Sequence, residues 1–368
     1  MLRNYFKVAL RALNRNRTFT LVNILGLVIG ISFSCMLYIY VSNELSYDTF
    51  HSKSDRTYRI ITKDLRDPNN LRQYGVTSPP VGKALVEGFP EVVEMVRIYQ
   101  FMGQVVFSIN GEKFQERNWF TADPNFFEVF DFEFVAGDKS TALSKPYSLV
   151  ITESTKSKYF GNEDPIGKTL DMETDEPVTI TGVIKDHPDN SHLQFEFLFS
   201  RIRNDDGWTT YLNSWDRFGA YTYIVLNPNG SIDDLRAKMP AMLQKNLGSN
   251  ANLFSMDFQS IEDIYLKSGD IEAGTERDHG QMSYIYIFSS MGIFLLIIAC
   301  INYINLSTSK ALARSKEVGV RKVVGAHKNQ LIFQFLTESF LVTFIAMFLA
   351  IGAMDLLFPY FNDITGKS

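Results

Sequence analysis

The chain has 368 residues, 45% of them hydrophobic, and a formal net charge of −5. That length and composition exclude a mini-protein held by disulfides and a disordered or collagen-like chain, and two cysteines, Cys35 and Cys300, are too few for a disulfide framework. The averages would suit a mildly acidic soluble protein, but charge and hydropathy are spread too unevenly for that description to hold.

Residues 1–17 carry Arg3, Lys7, Arg11, Arg15 and Arg17 and no acid. Leu2, Phe6, Ala9 and Leu13 interleave with these bases, which predicts an amphipathic helix on the inner membrane surface. From Thr18 to Asn43 the chain runs for 26 residues without Asp, Glu, Lys or Arg. Crossing the hydrocarbon core takes about 20 apolar residues, so a first span is expected over residues 18–41. A cleaved signal peptide is the rival reading, but the apolar stretch is too long and no A-x-A-like site follows it. Met36, Leu37 and Tyr38 continue the run past Cys35, which argues against a lipoprotein cysteine. Gly26, Gly30 and Ser34 recur every four residues and form a small-residue stripe suited to close helix packing.

Residues 42–283 hold 24 basic against 37 acidic residues and no cysteine. The segment is long enough to bury its own core. Alternation and β-branched or aromatic content predict strands from Val92, from Gln104 and from Tyr221, and Asn110-Gly111 signals a hairpin. Helices are expected at Pro80–Glu87, at Thr152–Tyr159 before Gly161, and at Ile232–Leu247 between Ser231 and Gly248. This mixture predicts an α+β domain, with two lobes as one arrangement. Phe126, Phe127, Phe130, Phe132 and Phe134 read as core in preference to a ligand box.

Catalytic signatures are missing from this segment. Gly161 to Thr169 imitates a phosphate loop, but five residues separate Gly161 from Gly167 where four are needed, and a helix precedes it instead of a strand. Gly366-Lys367-Ser368 lacks the first glycine, since Phe361 stands in its place. His187 and His192 with Asp186 and Asp189 could line a metal site, although a turn explains them more simply, and no metal is expected. No G-x-S-x-G elbow occurs.

A second uncharged run extends from His279 to Ser309, placing a span over residues 284–304. Asn302 and Asn305, near its inner end, should face protein or the interface. A third span is expected over residues 336–360, where Asp355 has to lie near an interface or against protein. Ala346 and Ala350 repeat the small-residue spacing there. Between these two spans lie Lys310, Arg314, Lys316, Arg321, Lys322 and Lys328. Short basic flanks stay in the cytoplasm, so the N-terminus and the 305–335 segment are placed inside, residues 42–283 outside, and the 361–368 tail outside.

In the inner segment Arg314, Glu317 and Arg321 share one helical face, with Glu317 four residues before Arg321 in the favourable order. Val320, Val323, Val324 and Leu331 share another. Gly319 and Gly325 each weaken a helix by roughly 1 kcal/mol relative to Ala, so a short broken helix is predicted. Its bland reading is a solvated basic loop. The functional reading is an amphipathic knob presented to a cytoplasmic partner.

The run ARSKEVGVRKVVGAHKNQLIFQFLTES, residues 313–339, resembles the cytoplasmic coupling segment of FtsX/MacB-like ABC transporter permeases. Four further runs resemble the MacB-type periplasmic core domain, in the same order: LSYDTFHSKSDRTYRI, ADPNFFEVFDFEFVAGD, LVITESTKSKYFGNEDPIGKTL and VTITGVIKDHPDNSHLQFEF. The resemblance implies an integral membrane α-helical protein, with a large α+β domain inserted between spans 1 and 2. It further implies a dimeric permease of the cell inner membrane, with no catalytic residue of its own and no cofactor in this chain. ATP and Mg would sit on a partner ATPase, which the resemblance assigns to Arg314, Glu317, Gly319, Arg321, Lys322, Gly325 and Ala326. Family members typically have four spans against three here, so the chain is expected to be a piece of a longer permease or a truncated member.

The expected function is therefore that of a permease subunit, moving or exporting a substrate through displacement of its outer domain. A periplasmic or outer-membrane partner fits this scheme and nucleic acid does not. The rival is a non-transporting transducer that activates a cell-envelope enzyme. A tethered outer-surface enzyme comes third.

Overall fold

The computed structural model describes residue 11 and residues 17–365, apart from 101–102, 110, 173–175, 204, 275–278, 314 and 326. The expected amphipathic segment over residues 1–17 therefore lies almost wholly outside the described residues. The chain divides into two compact units, Met1–Asn43 with Met282–Ser368, and Glu44–Gln281. Helix α1 (Arg17–Glu44) is followed by β1 (Thr57–Asp64), β2 (Arg72–Tyr74), α2 (Pro80–Gly88) and β3 (Val92–Tyr99). Next come β4 (Val105–Ile109), β5 (Glu112–Glu116), β6 (Trp119–Ala122), α3 (Phe126–Val129) and β7 (Phe134–Gly137). Then β8 (Ser148–Thr152) leads to α4 (Glu153–Phe160), β9 (Thr169–Met172), β10 (Val178–Ile184), β11 (Phe197–Ser200) and α5 (Asp206–Leu212). The unit closes with β12 (Tyr221–Leu226), α6 (Ile232–Leu247), β13 (Phe254–Ser260), α7 (Ile261–Lys267) and β14 (Ile271–Glu272). Helices α8 (Met282–Ala313), α9 (Ser315–Val323) and α10 (Lys328–Thr365) complete the chain.

Local chemistry sets several of these boundaries. Thr152 caps α4 by accepting from the Thr155 N–H, and Gly161 ends it at φ 55°. Ser231 accepts from the Asp234 N–H at the start of α6, and Gly248 ends that helix at φ 56°. Both are the expected pairing of a hydroxyl N-cap with a glycine stop. Strands β4 and β5 pair antiparallel with Ile109 opposite Glu112, which agrees with the expected hairpin, although Asn110 itself lies outside the described residues.

Among the described residues the strands form one mixed sheet, in the order β14-β2-β1-β12-β3-β6-β11-β8-β10-β9-β4-β5, with β13 added to β1 and β7 to β10. Parallel pairs β8–β10 and β6–β11 sit in its middle, and most other pairs are antiparallel. Three apolar clusters line the sheet, which makes the domain α+β as expected. The central one gathers Phe126, Phe127, Phe130 and Phe132 with Phe120, Phe195 and Tyr223. Phe126 meets Phe127 edge to face and stacks parallel to Phe132, so the phenylalanine run is core. A second cluster packs α2 and α6 on β12 and β13, and a third fills the space among β4, β8, β10 and β11.

In the other unit, α1, α8 and α10 are each long and apolar enough to cross a membrane. Their small residues are the points of closest approach. A Cβ at Gly30 would lie 2.5 Å from Ala299 Cβ, and one at Gly26 would lie 2.7 Å from Asn302 Nδ2. Ser34 Oγ donates to the Gly292 carbonyl (2.9 Å) and Ser32 Oγ to that of Ala350 (3.2 Å). Ala346 and Ala350 are fully buried. Helix α10 has 38 residues, or about 57 Å at 1.5 Å per residue, against a hydrocarbon core of about 30 Å. It therefore projects beyond the core. Asp355 is exposed and lies near the C-terminal end of α10, where the excess length can place it outside the hydrocarbon. Pro359, inside the same helix, removes the N–H that Asp355's carbonyl would accept from, so both polar demands fall at one level.

Candidate functional site

The segment between α8 and α10 is a helix–turn of small size. Helix α9 runs from Ser315 to Val323 and passes through Gly319 without a break. Gly325 does break it. At φ 95° it takes a left-handed conformation, its N–H donates to the Lys322 carbonyl (3.1 Å), and the Val324 N–H donates to that of Val320 (3.1 Å). This is the glycine stop that closes a helix by satisfying its last carbonyls. Across the turn, the His327 N–H donates to Gln330 Oε1 (3.2 Å), which caps the start of α10.

That turn corrects one expectation. Leu331 does not share a face with the three valines, because the left-handed residue at 325 redirects the chain before it; Leu331 is buried on α10. Val320, Val323 and Val324 are 64%, 88% and 81% exposed, an apolar tip left largely uncovered by the described residues. Lys322 and Gly319 are exposed beside them. Arg314 and Ala326 lie outside the described residues. The backbone of α9 puts Glu317 and Arg321 about one turn apart.

The other sequence candidates resolve into structural roles. Lys168 of the loop-like stretch pairs with Glu163 and its N–H donates to the Pro165 carbonyl, so no phosphate cradle forms. His187 Nε2 lies 2.6 Å from the Phe195 carbonyl, and Asp186 accepts from Ser154 N–H and Oγ. His192 turns instead to Asp48 and Tyr223. The four residues weighed as a metal site are thus not brought together, and among the described residues no group of three potential ligands is assembled.

Two buried polar constellations escaped sequence reasoning, since their members lie far apart in the chain and carry no shared motif. In one, Asp123 Oδ2 accepts from Arg97 N–H and Nε (2.8 and 2.9 Å), and Asp123 Oδ1 accepts from Arg201. Burial opposes the charge on Arg97, yet Asp123 outweighs it and raises the pKa. The other centres on Asp48. Its Oδ1 accepts from the His192 N–H (3.1 Å), while His192 Nδ1 sits 2.8 Å from Oδ2 in poor alignment. His192 Nε2 lies 3.0 Å from the Tyr223 hydroxyl. His51 Nε2 approaches Asp48 to 3.8 Å, and its Nδ1 accepts from the Asp131 N–H (3.0 Å), which leaves the proton on Nε2. Burial pushes the His51 pKa down to about 4, against the pull of Asp48.

Comparison with known proteins adds a separate line of support. The model of the MacB-like periplasmic core domain matches residues 20–242, and that of the FtsX-like permease C-terminal region matches residues 289–367. The macrolide export ATP-binding/permease protein MacB of Neisseria gonorrhoeae is 23% identical over 233 residues, covering 61% of this chain and 33% of that protein. The protein of the same name from Shewanella sp. is 23% identical over 386 residues, covering 98% of this chain and 54% of its own length. The chain thus spans from a third to about half the length of these curated relatives. The crystal structure of the periplasmic region of MacB from Actinobacillus actinomycetemcomitans aligns with 57% of this chain and 91% of that one, at 13% identity and a TM-score of 0.39.

Proposed function

Because the chain belongs to the MacB/FtsX-like ABC transporter permeases, we propose that it is a membrane subunit driven by a separate cytoplasmic ATPase. The observation that carries this reading is the uncovered tip of Val320, Val323 and Val324 between two membrane-length helices. An apolar patch held on a rigid turn loses area to water until a partner covers it, at roughly 25 cal/mol per Å². The basic neighbours Lys316, Arg321 and Lys322 keep the tip cytoplasmic, where ATP and Mg are available to the partner. Closure of two ATPase subunits would push on this tip in each of two permease copies. Helix α8, which follows Gln281 directly, would carry the displacement to the Glu44–Gln281 domain on the outer side of the inner membrane. That domain then moves or extracts the substrate. The chain supplies no catalytic group to the scheme.

Val323→Asp, Glu317→Lys and Arg321→Glu should each abolish co-purification of a co-expressed partner ATPase and stop nucleotide-dependent movement of the outer domain. Retention of both in all three variants would refute the coupling role. Substrate-stimulated ATP turnover with net substrate movement marks transport. ATP-dependent binding of an envelope enzyme without movement marks the transducer instead.

A further inference from the structure

In the coupling proposed above, force reaches the outer domain through the two stems that join it to α1 and α8, and the first stem begins directly after α1. A covalent link alone transmits tension, and a flexible one transmits neither compression nor torque. Residues 45–53 are neither helix nor strand, yet they are fastened at many points to distant parts of the domain. Asp48 is the hub. Its N–H donates to the Asn190 carbonyl (2.8 Å), and its carboxylate accepts from the backbone of His192. Asn190 Nδ2 donates back to the Ser46 carbonyl (3.0 Å). His51 and Ser52 are tied to Asp131, and Lys53 Nζ donates to the Glu128 carbonyl (2.7 Å).

These ties reach the middle of the sheet. His192 lies in the loop between β10 and β11 and touches Tyr223 on β12, so the stem is joined to central strands and not to an edge. The fastening is also costly. Asp48 has φ 59°, a left-handed conformation that L-residues with a β-carbon adopt at a penalty, and its side chain is wholly buried with two imidazoles. Such strain persists only where the surroundings over-determine it.

The second stem is held to the first. Tyr47 stacks on Tyr265 of α7 with centroids 3.5 Å apart and planes at 3°. Tyr265 Oη donates to Glu44 Oε1 (3.3 Å), and Ser54 Oγ donates to Glu262 Oε1 (2.7 Å). Gly280, two residues before α8, lies so close to Tyr265 and Leu266 that a Cβ there would be 2.8 Å from Leu266 Cδ2 and would collide with the Tyr265 ring. Helix α7 therefore contacts the stem leaving α1 and the stem leading to α8.

We propose that Asp48 and Tyr265 lock both stems of the outer domain into one rigid joint, with Asp48 as a positioning residue for the conformational coupling proposed above. The joint's mechanical role rests on that reading, but its rigidity is testable without the ATPase. Full-length protein in lipid nanodiscs, with Cys35 and Cys300 replaced by serine, would carry spin labels at positions 45 and 145, and in a second pair at 45 and 281. Wild-type joints should give narrow distance distributions for both pairs. Asp48→Gly is compatible with the left-handed turn and removes the side chain with its carboxylate; it should at least double the width for 45–145. Tyr265→Leu should do the same for 45–281. Thermal unfolding of the domain monitors fold, and Asp48→Asn, which keeps an acceptor for the His192 N–H, should restore most of the narrowness. Should Asp48→Gly unfold the domain, Tyr265→Leu decides. Unchanged widths in folded variants would overturn the joint, whatever the ATPase-binding variants of α9 show. Loosened stems with α9 coupling absent would retain the joint and refute the coupling reading.

Discussion

At the residue scale, the buried histidines give the outer domain an acid limit. His51 has its pKa lowered from 6.5 to about 4 by burial, and His187 is lowered to about 4 by the same cause. In the unfolded chain both would take up a proton near pH 6.5, before the folded protein does. Their contribution is thus complete above pH 6.5 and is lost as the pH falls towards 4. For His51 the difference corresponds to about 3 kcal/mol. The melting temperature of the full-length protein should fall between pH 7 and pH 4.5. His51→Asn, whose Oδ1 can take over the bond from the Asp131 N–H, should show a shallower decline. Equal slopes for variant and wild type would remove His51 from this account. The histidines also mark a limit of reading by residue type. His187 and His192 stood out in the sequence as possible ligands, but whether a histidine faces a metal, a carbonyl or a carboxylate depends on Phe195, Asp48 and Tyr223, and a local pattern does not reveal them.

At the element scale, what was legible is what neighbours in sequence decide. Ser231 with Gly248, Thr152 with Gly161 and Asn110 with Gly111 are start, stop and turn signals acting within a few residues, and the structure follows them. Strands β2 and β14 were not legible. Arg72–Tyr74 and Ile271–Glu272 are short, partly exposed and stabilised by pairing with each other across the chain. The segment between α8 and α10 was half legible: both glycines looked like helix breakers, but an exposed Gly319 at ordinary φ merely costs stability, whereas Gly325 at φ 95° ends the helix. In the membrane helices the small-residue stripes show close contact between α1 and α8. Gly30→Ala should destabilise the helical unit by about 1–3 kcal/mol through overpacking against Ala299, read as a lower unfolding temperature in detergent. Ala299→Gly in the same chain should recover part of the loss. Failure of the second substitution to compensate would mean the two helices do not meet at this point.

At the scale of the whole molecule, the net charge of −5 hides an acidic domain between basic helix flanks. That asymmetry, with the rule that short basic flanks stay in the cytoplasm, predicts the topology. Single cysteines at positions 145 and 322, in a chain without Cys35 and Cys300, provide the check. A membrane-impermeant maleimide should label position 145 from the outer side of the membrane and position 322 only after that membrane is opened. The reverse pattern would invert the protein. The meeting of Glu44, Tyr47 and Gly280 around one tyrosine ring carries a last consequence. A domain that leaves and rejoins its host at one place is an insertion, and insertions with adjacent ends can be lengthened, shortened or exchanged with little disturbance to the scaffold. The outer domain is in that sense a cartridge. It can be exchanged while the helices and the α9 tip stay as they are, and a chimaera should be cut at residues 44 and 281.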